Sequence, residues 1–203
     1  MEKSVLIAIP AFNEAKNIKK VISVAKNFGH VMVFNNNSTD DTEKICLIGN
    51  IQVNNVKDQG YENVIYSISN YFLNSNFNKL IIIDGDGEVG VDKIDEMIKL
   101  LDRYEIVVGK REVITRISEK VICFIYKIFF NVDDVFCGFK GFQRSGIASK
   151  LVKNTYSTSV FRKSSKKTSI PVKVYVRNGS SRLGSGIKLE MQLFFGGLRG
   201  LFS

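Results

Sequence analysis

The sequence predicts an α/β protein built on a doubly wound, mostly parallel sheet, and three observations predict it. Strand-length apolar runs and helix-period stretches alternate at least four times over the first 110 residues, the pattern of successive strand–helix–strand units with right-handed crossovers. Leu80–Ile83 reads LIII without polar alternation, as expected of a strand covered on both faces. The loops after three of the strands, Ala11–Glu14, Asn35–Asp41 and Asp84–Glu88, are all rich in polar groups. In such sheets ligands bind beyond the carboxyl ends of the strands.

Each element has its own signal. Val5–Pro10 (VLIAIP) is a β-branched run, and Glu14–Phe28 follows with Ile18, Val21, Ile22 and Ala25 at helical spacing. Val31–Phe34 is a second strand, stopped by Asn35-Asn36-Asn37, and Ser38-Thr39-Asp40-Asp41 offers N-cap chemistry for a helix to about Ile48. Ile51–Val56 is a third strand, followed by a helix over Tyr61–Leu73. After Leu80–Ile83, Asp92–Arg103 repeats the helical period with Ile94, Met97, Ile98 and Leu101, and Ile106–Val108 is a further strand. Beyond it the order loosens. A helix is expected over Arg116–Phe130, Gly138–Arg144 is glycine and aromatic rich, and Ile170–Arg177 alternates like a strand. Thr155–Ser169, rich in Ser, Thr and Lys, reads as a loop. No internal repeat or second domain is visible, so residues 1–186 are expected to form one domain and 187–203 an amphipathic C-terminal tail.

Composition narrows the function classes. A 203-residue chain that is 44% hydrophobic and 24% charged can bury a core, which excludes wholesale disorder. The three cysteines, Cys46, Cys123 and Cys137, have no metal-type spacing, and Met1–Ser4 opens no secretory signal. They are expected to be reduced thiols in a cytoplasmic protein. A single histidine, His30, argues against histidine-rich metal sites and a Ser-His-Asp triad. The net charge of +9 fits an anionic partner, whether a phosphorylated substrate, a membrane surface or nucleic acid. No recognised nucleic-acid module is present. No run approaches the roughly 18 apolar residues of a membrane span. Val121–Phe130 and Ile187–Phe202 are short apolar stretches with interspersed charge, readable either as core or as helices lying in a membrane interface.

Asp84-Gly85-Asp86-Gly87-Glu88 follows the LIII strand directly. Residues two apart in extended backbone point the same way, so Asp84 and Asp86 can converge on one cation, with Glu88 joining if the glycines let the chain turn. Hard carboxylate oxygens suit Mg2+ or Mn2+, which takes its remaining ligands from water and substrate phosphates. The alternative is an acidic turn capping the next helix. Neither G-x-G-x-x-G after a strand nor G-x-x-x-x-G-K-[ST] occurs, which disfavours Rossmann dinucleotide binding and P-loop hydrolysis.

Taken in order, Ile9-Pro10-Ala11-Phe12-Asn13-Glu14, the run Asn36-Asn37-Ser38-Thr39-Asp40-Asp41-Thr42 and Asp84-x-Asp86 resemble glycosyltransferase family 2. Val108-Gly109-Lys110-Arg111, Asp134-x-x-Cys137-Gly138-Phe139-Lys140-Gly141-Phe142, Ile170-Pro171-Val172 and Gly179-Ser180-Ser181-Arg182-Leu183-Gly184 resemble its polyprenyl-phosphate branch, the dolichyl-phosphate mannosyl- and glucosyltransferases. The likeness implies a GT-A fold and an inverting transfer from a GDP-mannose- or UDP-glucose-class donor to a polyprenyl phosphate. It implies that Pro10, Phe12, Glu14, Asn35, Asn36 and Asp84 bind the nucleotide, and that Asp84, Asp86 and Glu88 serve Mg2+ or Mn2+. It further implies that Arg111, Arg116 and Arg182 hold phosphates of donor or acceptor, and that Asp86, Arg111 and Asp134 act at the reacting centre. Asn35 stands where the family usually has aspartate, and Phe12 where tyrosine is common.

The acceptor expectation rests on a missing base. A sugar hydroxyl needs one, which soluble relatives commonly supply from an acidic pair, whereas here no carboxylate follows Asp134 in Phe136–Phe142. A phosphate nucleophile is already anionic and needs charge compensation, which arginines provide. Asp134 is the rival base, or else orients a helix or an arginine. Such an enzyme is expected to sit peripherally on the cytoplasmic face of the membrane, with a separate membrane-anchoring protein as one way of reaching it. The alternatives are a family-2 enzyme elongating a soluble or cell-surface glycan and a catalytically degenerate nucleotide-binding relative.

Overall fold

The structure is a computed structural model of the chain, and it describes residues 5–147, 158–162, 164, 166–175 and 187–202. Among the described residues seven strands form one sheet, β1 (Val5–Ala11), β2 (His30–Asn35), β3 (Gln52–Asn55), β4 (Lys79–Ile82), β5 (Ile106–Arg111), β6 (Lys140–Gln143) and β7 (Lys167–Val172). Their spatial order is β3-β2-β1-β4-β6-β5-β7. The pairs β3–β2, β2–β1, β1–β4 and β5–β7 are parallel, while β6 runs antiparallel between β4 and β5. The mixed, mostly parallel α/β sheet is the one the sequence predicts.

Six helices accompany it among the described residues: α1 (Ile18–Ala25), α2 (Thr42–Ile48), α3 (Tyr61–Leu73), α4 (Ile94–Leu100), α5 (Ile117–Phe130) and α6 (Ile187–Phe202). All seven residues of β1 are buried, so both faces of the central strand are covered and no polar alternation survives in its sequence. On α1 the buried residues are Ile18, Val21, Ile22 and Ala25, the stripe expected of a helix lying on a core.

The structure departs from the sequence expectations at a few boundaries. α1 begins at Ile18 rather than Glu14, because residues 15–17 form turns from which Asn17 and Ile18 donate to the Glu14 carbonyl. Gly138–Arg144 contains β6, whose four residues were too short and glycine-rich to read as a strand. β7 starts at Lys167, inside the stretch expected to be a loop, and Thr158–Arg162 is a 3-10 turn with Val160 and Phe161 buried. Ile187–Phe202 forms α6 and packs on α5, where Leu189 and Leu193 are buried and the Tyr126 hydroxyl donates to the Gly197 carbonyl at 3.1 Å. Close approach requires glycine there, since a Cβ on Gly197 would meet Ile122 Cγ2 at 2.6 Å.

Candidate active site

The chain steps outward from β1 to β2 and β3, then returns to place β4 on the other side of β1. That reversal opens a crevice at the carboxyl ends of the central strands. All three polar loops noted in the sequence converge there. Asn13, with φ of 55°, takes the left-handed conformation that asparagine tolerates. Its Oδ1 accepts from the Thr39 and Asp40 amides at 2.7 and 3.2 Å, while its own amide donates to Ser38 Oγ at 2.9 Å. Asp40 Oδ2 accepts from the Ala15 amide at 3.1 Å and Oδ1 from the Thr42 amide at 3.0 Å, so one aspartate ties the first loop to the start of α2.

The nucleotide-binding candidates line this crevice. Pro10 lies on buried β1, Phe12 is 38% exposed at the mouth, and buried Glu14 accepts from Asn17 Nδ2 at 2.9 Å. Asn35 is buried, donates through Nδ2 to Asn55 Oδ1 at 2.8 Å and accepts from the Ser38 amide at 3.2 Å. Asn36 donates to the Asp58 carbonyl at 3.1 Å and accepts from the Gly60 amide at 2.9 Å. Both amides therefore shape the wall by joining β2 to β3 and to the loop that starts α3.

Asp84 sits where the β1–β4 ladder ends. The Ile83 and Gly85 amides still donate to the Ala8 and Pro10 carbonyls, at 3.1 and 3.2 Å. The chain then turns, with Gly87 at φ of +70° and its amide donating to the Asp84 carbonyl. Asp86 Oδ1 accepts from the Glu88 amide at 3.0 Å. Asp84 Oδ1 is closed off from solvent and has no hydrogen-bond partner, an arrangement that disfavours a bare carboxylate. Burial pushes the Asp84 carboxyl up to about 7, Asp86 and Glu88 add to the rise, and Lys140 and Arg111 oppose it. The Gly138 backbone lies against this carboxylate so closely that a Cβ there would stand 1.8 Å from Asp84 Oδ2.

The donor set fits a hard divalent cation. Two carboxylates two residues apart, one with an orphaned oxygen, present charge that a cation would neutralise. Among the described residues no three His, Cys, Asp or Glu side chains stand together as a cage. Glu88, expected as a third ligand, lies near enough for its charge to raise the Asp84 pKa. Its backbone carbonyl accepts from the Tyr175 amide at 2.7 Å.

The basic side of the site differs from expectation. Arg111 is clamped: Nε and Nη2 donate to Asp134 Oδ2 and Oδ1 at 2.7 and 2.9 Å, and Nη2 also reaches Glu119 Oε2 at 2.7 Å. Asp134 is fully buried. Burial alone would loosen the Arg111 proton, but the hydrogen bonds and charge of Asp134 outweigh it and raise the pKa. Arg116 Nη1 donates to Glu119 Oε1 at 2.8 Å. Two arginines and two carboxylates thus balance internally, with Asp134 and Glu119 both holding the Arg111 guanidinium. Arg182 lies outside the described residues.

Sequence reasoning gave no role to Glu119, Lys140 or Tyr61. Glu119 stands three residues after Arg116, a spacing that pairs on a helix, but only the fold brings Arg111 to the same carboxylate. Lys140 is 3% exposed and pairs in register with Ile82, two residues before Asp84. Burial lowers its pKa, while Cys137, Asp84 and Glu62 pull it back up. Burial also pushes the Tyr61 phenol well above its usual range, with Asp84 adding to the effect.

Residues 6–119, which carry all three crevice loops and more than half of the chain, match the sequence profile of glycosyl transferase family 2. The chain belongs to that family and is a glycosyltransferase. It is 31% identical to protein RfbJ of Shigella flexneri over 114 residues, 54% of this chain and 86% of that protein. Glucosyl-3-phosphoglycerate synthase from Mycobacterium tuberculosis, solved with phosphoglyceric acid, superposes with a TM-score of 0.77 at 16% identity, covering 98% of this chain and 80% of that one. The same synthase with Mn2+, UDP-glucose and phosphoglyceric acid gives a TM-score of 0.77 at 15% identity, covering 98% and 79%. Mannosyl-3-phosphoglycerate synthase from Rubrobacter xylanophilus gives 0.72 at 11%, covering 98% and 73%. At these identities the likeness establishes the GT-A fold for this glycosyltransferase, not its substrate.

Proposed function

We propose that this family-2 glycosyltransferase is an inverting enzyme that moves a sugar from a nucleotide diphosphate sugar, of the GDP-mannose or UDP-glucose class, to a polyprenyl phosphate. The supporting observation is Asp134. The carboxylate available as a base in the glycine–aromatic motif is fully buried and holds Arg111 through two hydrogen bonds. With no exposed surface and both oxygens committed to Arg111, this carboxylate is out of reach of an acceptor hydroxyl in this geometry. The acceptor then has to arrive as an anion, as a phosphate monoester does, and attack without a base.

In this reading the crevice between the first loop and Asn35–Asn36 takes the nucleoside. Asp84 and Asp86 hold Mg2+ or Mn2+, which when bound supplies the charge that lets the nucleoside diphosphate leave. Asp84 faces Gly138, whose missing side chain leaves room for the carboxylate, and Lys140 adds a buried positive charge beside it. Arg111, held by Asp134 and Glu119, fixes the position of Glu119 and hence of Arg116, whose guanidinium is partly exposed at the edge of α5.

The test is transfer from radiolabelled nucleotide sugars with Mg2+ or Mn2+ to polyprenyl phosphate in detergent, followed by extraction of product into organic solvent. Labelled lipid with the phosphate, and none with free polyprenol, is the expected result. Efficient transfer to the free alcohol, or label only in water-soluble glycan, would sink the phosphate reading in favour of the glycan-elongating alternative.

A further inference from the structure

Helices α5 and α6 turn large apolar side chains to solvent. On α5, Ile117, Val121, Phe124, Ile128 and Phe129 are exposed, Phe124 by 67% and Phe129 by 71%, while Ile122, Cys123 and Tyr126 are buried. On α6, Met191, Phe195 and Phe202 are exposed, while Leu189 and Leu193 are buried. Helix α2 exposes Leu47 and Ile48 at its last turn, whereas α1 and α4 turn polar side chains outward. The exposed positions of α1 are Lys19, Lys20 and Ser23, and those of α4 are Asp95, Glu96 and Lys99.

The two stripes open on the same side. The Ser118 amide meets Glu190 and the Tyr126 hydroxyl meets Gly197, so α5 and α6 lie side by side and run the same way. At about 100° per residue, Ser118, Ile122 and Tyr126 stand roughly 130° to one side of Ile117, Val121, Phe124 and Ile128, with Phe129 on the side nearer α6. Glu190 and Gly197 stand roughly 130° to the other side of the exposed stripe of α6. Placed against each other, parallel helices with that opposite offset turn their apolar stripes to the same side of the pair.

The charge bordering the stripes has one sign. The remaining exposed positions are Lys120 and Lys127 on α5, and Gln192 and Arg199 on α6, so among the described residues neither helix exposes a carboxylate. Glu190 is turned inward to the Ser118 amide at 2.8 Å, and Lys127 also reaches Asp133 at 3.1 Å. The chain as a whole carries +9.

We infer that α5 and α6 together form a docking face for an anionic phospholipid bilayer. The apolar stripes enter the boundary between headgroups and acyl chains, and Lys120, Lys127 and Arg199 lie at the level of the phosphates. The face begins at Arg116, which is joined to Glu119 at the edge of the candidate site, so docking brings that site to the membrane. The inference deepens the polyprenyl-phosphate reading, because such an acceptor is met only at a bilayer.

The test is sedimentation of the full chain with vesicles of phosphatidylcholine, with and without phosphatidylglycerol, containing no polyprenyl phosphate. Binding is expected to the anionic vesicles and to weaken as salt rises. The double variant Phe124→Ser/Phe195→Ser is expected to bind at least about tenfold more weakly, with its thermal midpoint and its affinity for nucleoside diphosphate plus Mn2+ unchanged. Wild-type protein that stays with the supernatant, or a folded variant that binds equally well, overturns the inference. So does a wild-type dimer that the same substitutions dissolve in the absence of vesicle binding, which would assign the face to a second copy of the chain. Because the vesicles hold no acceptor, this result is independent of the transfer assay in detergent.

Discussion

Asp84 shows how a single residue can be placed against its own ionisation. Its carboxylate is backed by Gly138, neighboured by Asp86 and left with an unpartnered oxygen, so a cation should stabilise the fold as well as serve catalysis. Adding Mn2+ at about 100 times its dissociation constant should raise stability by about 2.7 kcal/mol, read as a shift in thermal midpoint. Asp86→Asn should abolish that shift and turnover together while leaving the metal-free midpoint near wild type. An unchanged Mn2+ response in this variant would remove Asp86 from the metal site. Gly138→Ala should weaken the same response, because its methyl group would displace the Asp84 carboxylate. At Arg111 the expectation is structural. Arg111→Met strands the buried Asp134 carboxylate, while Glu119 keeps Arg116, and should cost about 3–5 kcal/mol, whereas Arg111→Met/Asp134→Leu should recover most of it in urea denaturation. Asp134→Asn should lower the rate only several-fold, against the roughly 10²–10⁴-fold loss on removing a general base. A loss of the larger size would restore Asp134 as the base.

At the scale of elements, α5 is neither wholly core nor wholly interface. One face buries Ile122, Cys123 and Tyr126 and the other exposes phenylalanines, and α6 is what makes the buried face continuous. Its hold includes Glu190, whose carboxylate takes the Ser118 amide at the first turn of α5, where a helix carries partial positive charge. Hydrogen bonding from Ser118, helped by the charge of Arg116, lowers the Glu190 pKa below its ordinary 4.5. A depressed folded-state value means the contribution is present above the unfolded pKa and lost as pH falls through the folded one. The urea midpoint of wild type should therefore drop more between neutral pH and pH values below about 4.5 than that of Glu190→Gln. Parallel curves for the two proteins would show that the contact adds no stability. β6 shows a different dependence between elements. KGFQ has no strand signal of its own, yet it closes the sheet between β4 and β5, and that pairing brings the charge of Lys140 to bear on Asp84.

At the scale of the molecule, one sheet runs from β3 to β7 without a break, and the chain should unfold as a unit. The buried cysteines report on it from separate places: Cys46 on α2, Cys123 on α5 and Cys137 beside the site. Burial pushes their thiols up to about 11, 12 and 12, so none should react with a thiol reagent in native buffer. All three should become reactive at the same urea concentration at which far-ultraviolet circular dichroism is lost. Earlier labelling of Cys123 than of Cys46 would divide the molecule into two cooperative parts.

By itself the sequence determined the alternation of strands and helices, the crevice loops and the Asp84-x-Asp86 motif. These are local signals, since hydrophobic period, turn residues and spacing within a few positions are written into consecutive residues. It also carried the apolar faces of α5 and α6, but not their division between core and solvent, which depends on how two helices sit against each other. Only the tertiary structure decided the roles of the charged groups. Arg111, Glu119 and Asp134 lie up to 23 residues apart and neutralise one another within 2.7–2.9 Å, so an apparent surplus of phosphate-binding arginines is in part an internal balance. The antiparallel insertion of β6 and the burial of Lys140 beside Asp84 were likewise invisible, because ion pairing and sheet order follow from contacts between segments that no local pattern records.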